Sequence, residues 1–173
     1  RRGPAQVKFT PLELRELGEL RDVDMVVYDE DFDYDEMVRL CVGLLFAGHE
    51  TTANAICNGL GELLEHPEQL ALLREKPELM PSAVEEILRY TGIAGAIVRM
   101  PREPVELGGK RLEPNQLMFL CLGAANRDAE VFTEPDRFDI TRKQNKHITF
   151  SYGAYYCIGA ALARLETQVC LST

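Results

Sequence analysis

The pattern of apolar and polar positions reads as helix from Tyr34 to about Tyr90 and changes period near Ala96. Asp33, followed three residues later by Glu36, has the spacing of a capping box and opens a long helix. Helical character then continues over about 34–65 and stops at His66-Pro67, because proline cannot extend a helix that precedes it. A second helix is expected over Pro67–Glu75 and a third over Pro81–Tyr90, the latter ended by Thr91-Gly92. Beyond it, Ala96–Arg99, Val105–Leu107 and Gln116–Cys121 read as short strands, with turns at Gly108-Gly109 and Pro114-Asn115. The stretch 123–145 is irregular, a loop covers 150–159, and residues 160–171 return to helix. Residues 1–30 are polar and weakly patterned, with a helix expected over Pro11–Leu20 and an acidic run through Asp29–Asp35. Helix dominates, so the expected fold class is mainly α with minor β.

Composition narrows the function classes. The 173 residues suit one domain, and 46% hydrophobic with 27% charged residues is an ordinary globular mixture. A formal charge of -9 argues against nucleic acid as a partner, since phosphate binding needs a basic face. No apolar run is long enough to cross a bilayer, so no membrane partner is expected. The chain starts at Arg1 rather than Met, which reads as a missing start. Five cysteines with no CxxC pair point to a reducing, cytoplasmic setting, and Cys41, Cys57 and Cys170 read as buried thiols.

Three segments carry candidate chemistry. In Phe150-Ser151-Tyr152-Gly153-Ala154-Tyr155-Tyr156-Cys157-Ile158-Gly159, two glycines permit tight turning and close approach to a large flat object. Cys157 sits just before a helix N-terminus, where free amides and the helix dipole favour a thiolate. By themselves these residues leave open a nucleophile, a metal ligand or a packed cysteine. In Ala47-Gly48-His49-Glu50-Thr51-Thr52, glycine and threonines are costly choices for the middle of a helix, and a threonine hydroxyl can open a kink there. A zinc-binding HExxH is excluded, because Ala53 stands where the second histidine belongs. Glu86 and Arg89 are, taken alone, an i,i+3 helix pair worth a few tenths of a kcal/mol.

Together these segments resemble the cytochrome P450 family. Phe150, Gly153, Cys157 and Gly159 match its haem-binding signature, with Ser151 in place of a glycine and Tyr155 in place of a histidine. The resemblance implies haem b held through Cys157 as the metal ligand, thiolate donation favouring O–O cleavage. It implies a proton-relay role for Glu50 and Thr51 on the distal helix, Ala47 of the same helix as a cofactor-binding residue, and Arg99 as a propionate anchor. A phenol at Tyr155 donates one hydrogen bond but brings no positive charge, and His147 is a further cofactor-binding candidate. Glu86 and Arg89, with Arg137 of Glu134-Pro135-Asp136-Arg137-Phe138, match the family's salt-bridge triad, a folding device; Asn126-Arg127-Asp128 matches a further stretch. The motifs run in family order over about four-fifths of the chain, so 1–173 reads as a partial P450 domain, incomplete at both ends. The implied activity is monooxygenation of an apolar substrate by O2, with Leu40–Phe46 and Thr91–Ile97 facing the pocket. The electrons would come from a ferredoxin-type donor docked at Arg142, Lys143, Lys146 and His147. The rival readings are a haem- or partner-binding relative without turnover and an inactive fragment.

Overall fold

The computed structural model describes residues 34–173. The expected helix at Pro11–Leu20 and the Asp33 cap lie outside the described residues. Four helices bear out the sequence pattern within one or two residues: α1 (Tyr34–Glu65), α2 (Pro67–Glu75), α3 (Met80–Thr91) and, after the cysteine loop, the last helix (Ala160–Ser172). A one-turn helix, Leu122–Ala125, was not foreseen; with it numbered α4, the last helix is α5. Proline in the first turn of α2 and of α3, and Gly92 in the left-handed conformation after Thr91, set these limits locally.

The chain divides into two units, Arg1–Ala47 and Gly48–Thr173, and of the first only the exposed amino-terminal stretch of α1 is described. The second unit is built around α3. Its Ala83, Val84, Glu86, Ile87, Leu88 and Arg89 are all buried, so this short helix is surrounded on most sides. α1 meets it through a narrow stripe, Thr52, Ala55, Gly59 and Leu63, spaced one turn apart. Gly59 is required for this approach: a Cβ there would lie 2.7 Å from Ile87 Cγ2. Leu63, Leu73, Ala83, Ile87, Phe138 and Ile140 form the larger core cluster, which draws the irregular segment after α4 onto α2 and α3. A smaller cluster joins Ala55 of α1 to Val84 and Leu88 of α3, and Phe150 packs against it.

The β component is two separate two-stranded ladders. β1 (Ile97–Arg99) pairs antiparallel with β4 (Met118–Leu120), aligning Arg99 with Met118. β2 (Val105–Leu107) pairs with β3 (Lys110–Leu112) across Gly108-Gly109, both at positive φ, the backbone a two-residue hairpin demands. β3 escaped the sequence reading because Lys110-Arg111-Leu112 lacks an apolar alternation.

The thiol expectation is corrected. All five cysteines are free and exposed, including Cys41, Cys57 and Cys170. The buried stripe of α1 is only one residue wide per turn, and Cys57 falls beside it.

Candidate functional site

The cysteine loop is shaped by its own backbone before any side chain acts. Ser151 N–H donates to Ile148 O (2.8 Å), Tyr156 N–H to Gly153 O (3.1 Å) and Cys157 N–H to Phe150 O (2.9 Å), so the loop closes on itself directly behind the sulfur. Ser151 adopts φ 65° and Gly153 φ 65°. A side chain in the left-handed region carries a penalty that glycine avoids, so Ser151 strains the turn. Ser151→Gly is therefore expected to raise stability by about 0.5–1 kcal/mol, read as a higher thermal unfolding midpoint.

Gly159 then caps α5, placing Cys157 three residues before Ala160, the first helical residue. The thiol is exposed, and so are Tyr152, Tyr155, Tyr156 and Ile158 around it, Ile158 to 94%. Arg99, at the end of β1, lies over the Tyr155 ring at 5.3 Å and donates to Val98 O (2.9 Å). The fold thus brings Arg99, Tyr155 and Cys157 to one exposed surface. On α1, Glu50 and Thr51 are exposed one turn ahead of Ala55, whose cluster holds Phe150 at the start of the loop. Ala47 is exposed at the end of the amino-terminal unit. α1 is unbroken in secondary structure through Ala47–Thr52.

Beneath the loop lie two charged networks served by adjacent glutamates of α3. Glu86 and Arg89 are 0% exposed. Arg89 grips Glu86 through Nε and Nη2 (both 2.8 Å) and spends its remaining donors on the carbonyls of Asn126, Pro135 and Arg137. Glu86 also accepts from Asp139 N–H (2.9 Å), Arg142 Nε (3.1 and 3.3 Å) and Asn145 Nδ2 (3.1 Å). The third member, and second base, of the triad is therefore Arg142, a correction to the expectation of Arg137. Arg137 contributes only its carbonyl, while its guanidinium pairs with Glu134 at the surface (3.2 Å). Burial of Arg142 to 10% side-chain exposure also removes it from any docking patch.

Glu85, one residue earlier and so about 100° around the helix, faces α5 instead. Arg164 holds it through Nε (2.6 Å) and Nη2 (3.0 Å), and His147 Nε2 meets it at 3.0 Å. Thr149 N–H donates to His147 Nδ1 (3.3 Å), which assigns the ring proton to Nε2. With both nitrogens occupied and a side chain only 2% exposed, His147 is corrected from cofactor contact to internal brace. Burial pushes the Glu85 carboxyl up, but hydrogen bonds from His147 and Arg164 and the guanidinium charge outweigh it and hold it at about 2. Its folded value is thus below the ordinary 4.5, so the pair's stability is full above about pH 4.5 and is lost as pH falls towards 2. The stability gap between the wild type and Glu85→Gln, measured by urea unfolding, is expected to shrink by on the order of 2 kcal/mol across that window. Sequence reasoning missed Glu85 and Arg164; two neighbouring glutamates gave no sign that they serve different partners.

The cytochrome P450 family model matches residues 19–173. This chain belongs to the cytochrome P450 family. Similar curated P450s include the biotin biosynthesis cytochrome P450 of Bacillus subtilis, 46% identical over 80% of this chain and 35% of its own length. Another is the vitamin D(3) 25-hydroxylase of Pseudonocardia autotrophica, 45% identical over 85% of this chain and 38% of its own length. Among solved P450s, one from Bacillus megaterium in complex with testosterone superposes with a TM-score of 0.77, at 40% identity over 80% of this chain and 38% of that one. A P450 bound to an acyl carrier protein ligated with hexadec-9Z-enoic acid gives 0.73, at 47% identity over 76% and 34%. The chain spans about a third of the length of the curated P450s it matches.

The P450 haem fits the residues present. Among the described residues no group of three or more His, Cys, Asp or Glu could hold a metal ion, so a metal at Cys157 must bring most of its own donors. A flat macrocycle does so, and the exposed aromatic and aliphatic side chains beside the thiol, with the Arg99 guanidinium at their edge, suit its apolar face and its carboxylates.

Proposed function

We propose that the protein acts as a haem-thiolate monooxygenase, inserting one atom of O2 into an apolar organic substrate, and that this chain supplies its distal-helix and thiolate-loop portion. The observation that carries this is the exposed thiol of Cys157, held at the head of α5 by a loop that closes through Phe150 O. Haem b, when bound, supplies the redox chemistry that activates dioxygen. Cys157 Sγ would hold the iron, and Arg99 and the Tyr155 hydroxyl would hold the propionates, with Phe150 and Gly159 shaping the loop. The Glu50 carboxyl and the Thr51 hydroxyl pass protons inward from solvent, the acid supplying them and the alcohol delivering them. Thr91–Ile97 borders the substrate. The testosterone and hexadec-9Z-enoic acid complexes among the similar structures support an apolar substrate class.

Electrons come from an acidic ferredoxin-type donor in the cytoplasm. Of the basic residues first assigned to its docking, Lys143 and Lys146 remain exposed and available. Among the described residues, no helix is long and apolar enough to cross a membrane.

The test is made on the full-length protein. Its reduced CO complex is expected to show the red-shifted thiolate band, and an ordinary imidazole-type band would overturn the proposal. Thr51→Ala is expected to leave that band intact while diverting most reducing equivalents to hydrogen peroxide, since protons then arrive out of order. The measurement is peroxide formed against product formed, and normal coupling would remove Thr51 from the relay.

A further inference from the structure

Arg164 touches both ends of the cysteine loop. Its guanidinium lies 4.5 Å from the centroid of the Phe150 ring, the first residue of the loop. Its Nη1 donates to the hydroxyl of Tyr156 (3.1 Å), the residue directly before Cys157, and to Ala160 O (3.4 Å) at the start of α5. Between those contacts the backbone closes through Cys157 N–H and Phe150 O at 2.9 Å. The same guanidinium is itself aimed from outside the loop, because Glu85 takes Nε and Nη2 in a two-point grip and His147 fixes the second carboxylate oxygen. A planar fork held on one edge by a carboxylate has one orientation, and its remaining edge and face are presented to Tyr156 and Phe150.

We propose that Arg164, aimed by Glu85 and His147, is the positioning residue for the Cys157 sulfur. It locks the two ends of the loop to α3 so that the thiol is presented at one place and angle. The consequence for the cofactor rests on the haem-thiolate reading above; the clamping of the loop does not. The geometry distinguishes the two glutamates of α3: Glu86 ties Asp139, Arg142 and Asn145 to the core, whereas Glu85 meets His147 and Arg164, and through Arg164 reaches both ends of the loop. A residue that merely stabilised the fold would, on removal, loosen the protein without singling out the loop.

The test compares Arg164→Ala, Arg164→Lys and the milder Glu85→Gln with Leu73→Ala, a core truncation in α2, all in the full-length holoenzyme. Amide hydrogen exchange is followed at Cys157 and Ser151, and the reduced CO spectrum is recorded over time. Arg164→Ala is expected to speed exchange at Cys157 by about tenfold or more and to convert the thiolate band progressively to a blue-shifted thiol-type band. Arg164→Lys, which keeps the charge but not the fork, is expected to fall between, and Glu85→Gln to follow it. Leu73→Ala is expected to lower global stability without either effect. Exchange at Cys157 within twofold of wild type in Arg164→Ala would overturn the clamp. Faster exchange with an unchanged thiolate band would overturn the positioning of the sulfur. If the wild type shows no thiolate band, the haem-thiolate reading fails, while the exchange measurement still decides the clamp.

Discussion

Cys157→His in the full-length protein is expected to abolish the thiolate-type CO spectrum and reduce product formation to background. The thiolate is the ligand whose electron donation favours O–O cleavage, and an imidazole, neutral and less donating, does not replace it. Cys157 sits in the loop just before α5, where the backbone closes through its own N–H onto Phe150 O and leaves the sulfur exposed. The other thiols of this chain lie on other elements: Cys41 and Cys57 on α1, Cys121 just after β4 and Cys170 near the far end of α5. The loop backbone, closed by Cys157 N–H to Phe150 O, tolerates the new side chain, so protein yield is expected to hold while the spectrum changes. An unchanged spectrum would remove Cys157 as the ligand.

The second large effect concerns folding. Glu86→Ala is expected to cost on the order of 3–5 kcal/mol, because it leaves two guanidinium groups without their buried counter-charge. Arg89 is wholly buried and Arg142 nearly so, and Asp139 N–H and Asn145 Nδ2 lose their acceptor at the same time. Arg137→Ala provides the contrast. Its guanidinium is more than half exposed and meets only Glu134, so the loss is expected to be about 0.5 kcal/mol or less. Arg142→Ala is expected to lie between, since Glu86 keeps Arg89. Urea unfolding of the three variants reads the order directly. A cost at Arg137 equal to that at Arg142 would restore the triad that the family resemblance implies and contradict the packing described above.

The docking surface changes for the same reason. Reversing the charge of Arg142 would break the Glu86 network at any salt concentration, so only Lys143 and Lys146 can report on electron transfer through its ionic-strength dependence.

The limits of the elements were legible in the sequence because they are decided within a few residues. Pro67 and the His66-Pro67 step separate α1 from α2, Gly92 ends α3, and Gly108-Gly109 forces a hairpin. That hairpin also explains β3: Lys110-Arg111-Leu112 pairs because the turn delivers it to β2, not because its own pattern asks for a strand. Cys157 stood out locally as a cysteine between two glycines at the head of a helix. The spacing left nucleophile, metal ligand and packed cysteine open, and only the family resemblance implied iron ligation. Partner choice was not legible. Glu85 and Glu86 are the same residue type side by side, yet one turns to Arg164 and His147 and the other to Arg89, Arg142 and Asn145. Those partners lie 3 to 79 residues away, and nothing along the chain distinguishes Arg142 from Arg137 as the buried base. The answer depends on how the segment after α4 folds back over α3, where Phe138 and Ile140 sink into the core and carry Arg142 with them while Arg137 is left at the surface. Burial of that kind is a property of three-dimensional packing, in which a side chain's cost depends on what surrounds it, and so only the tertiary structure decided it.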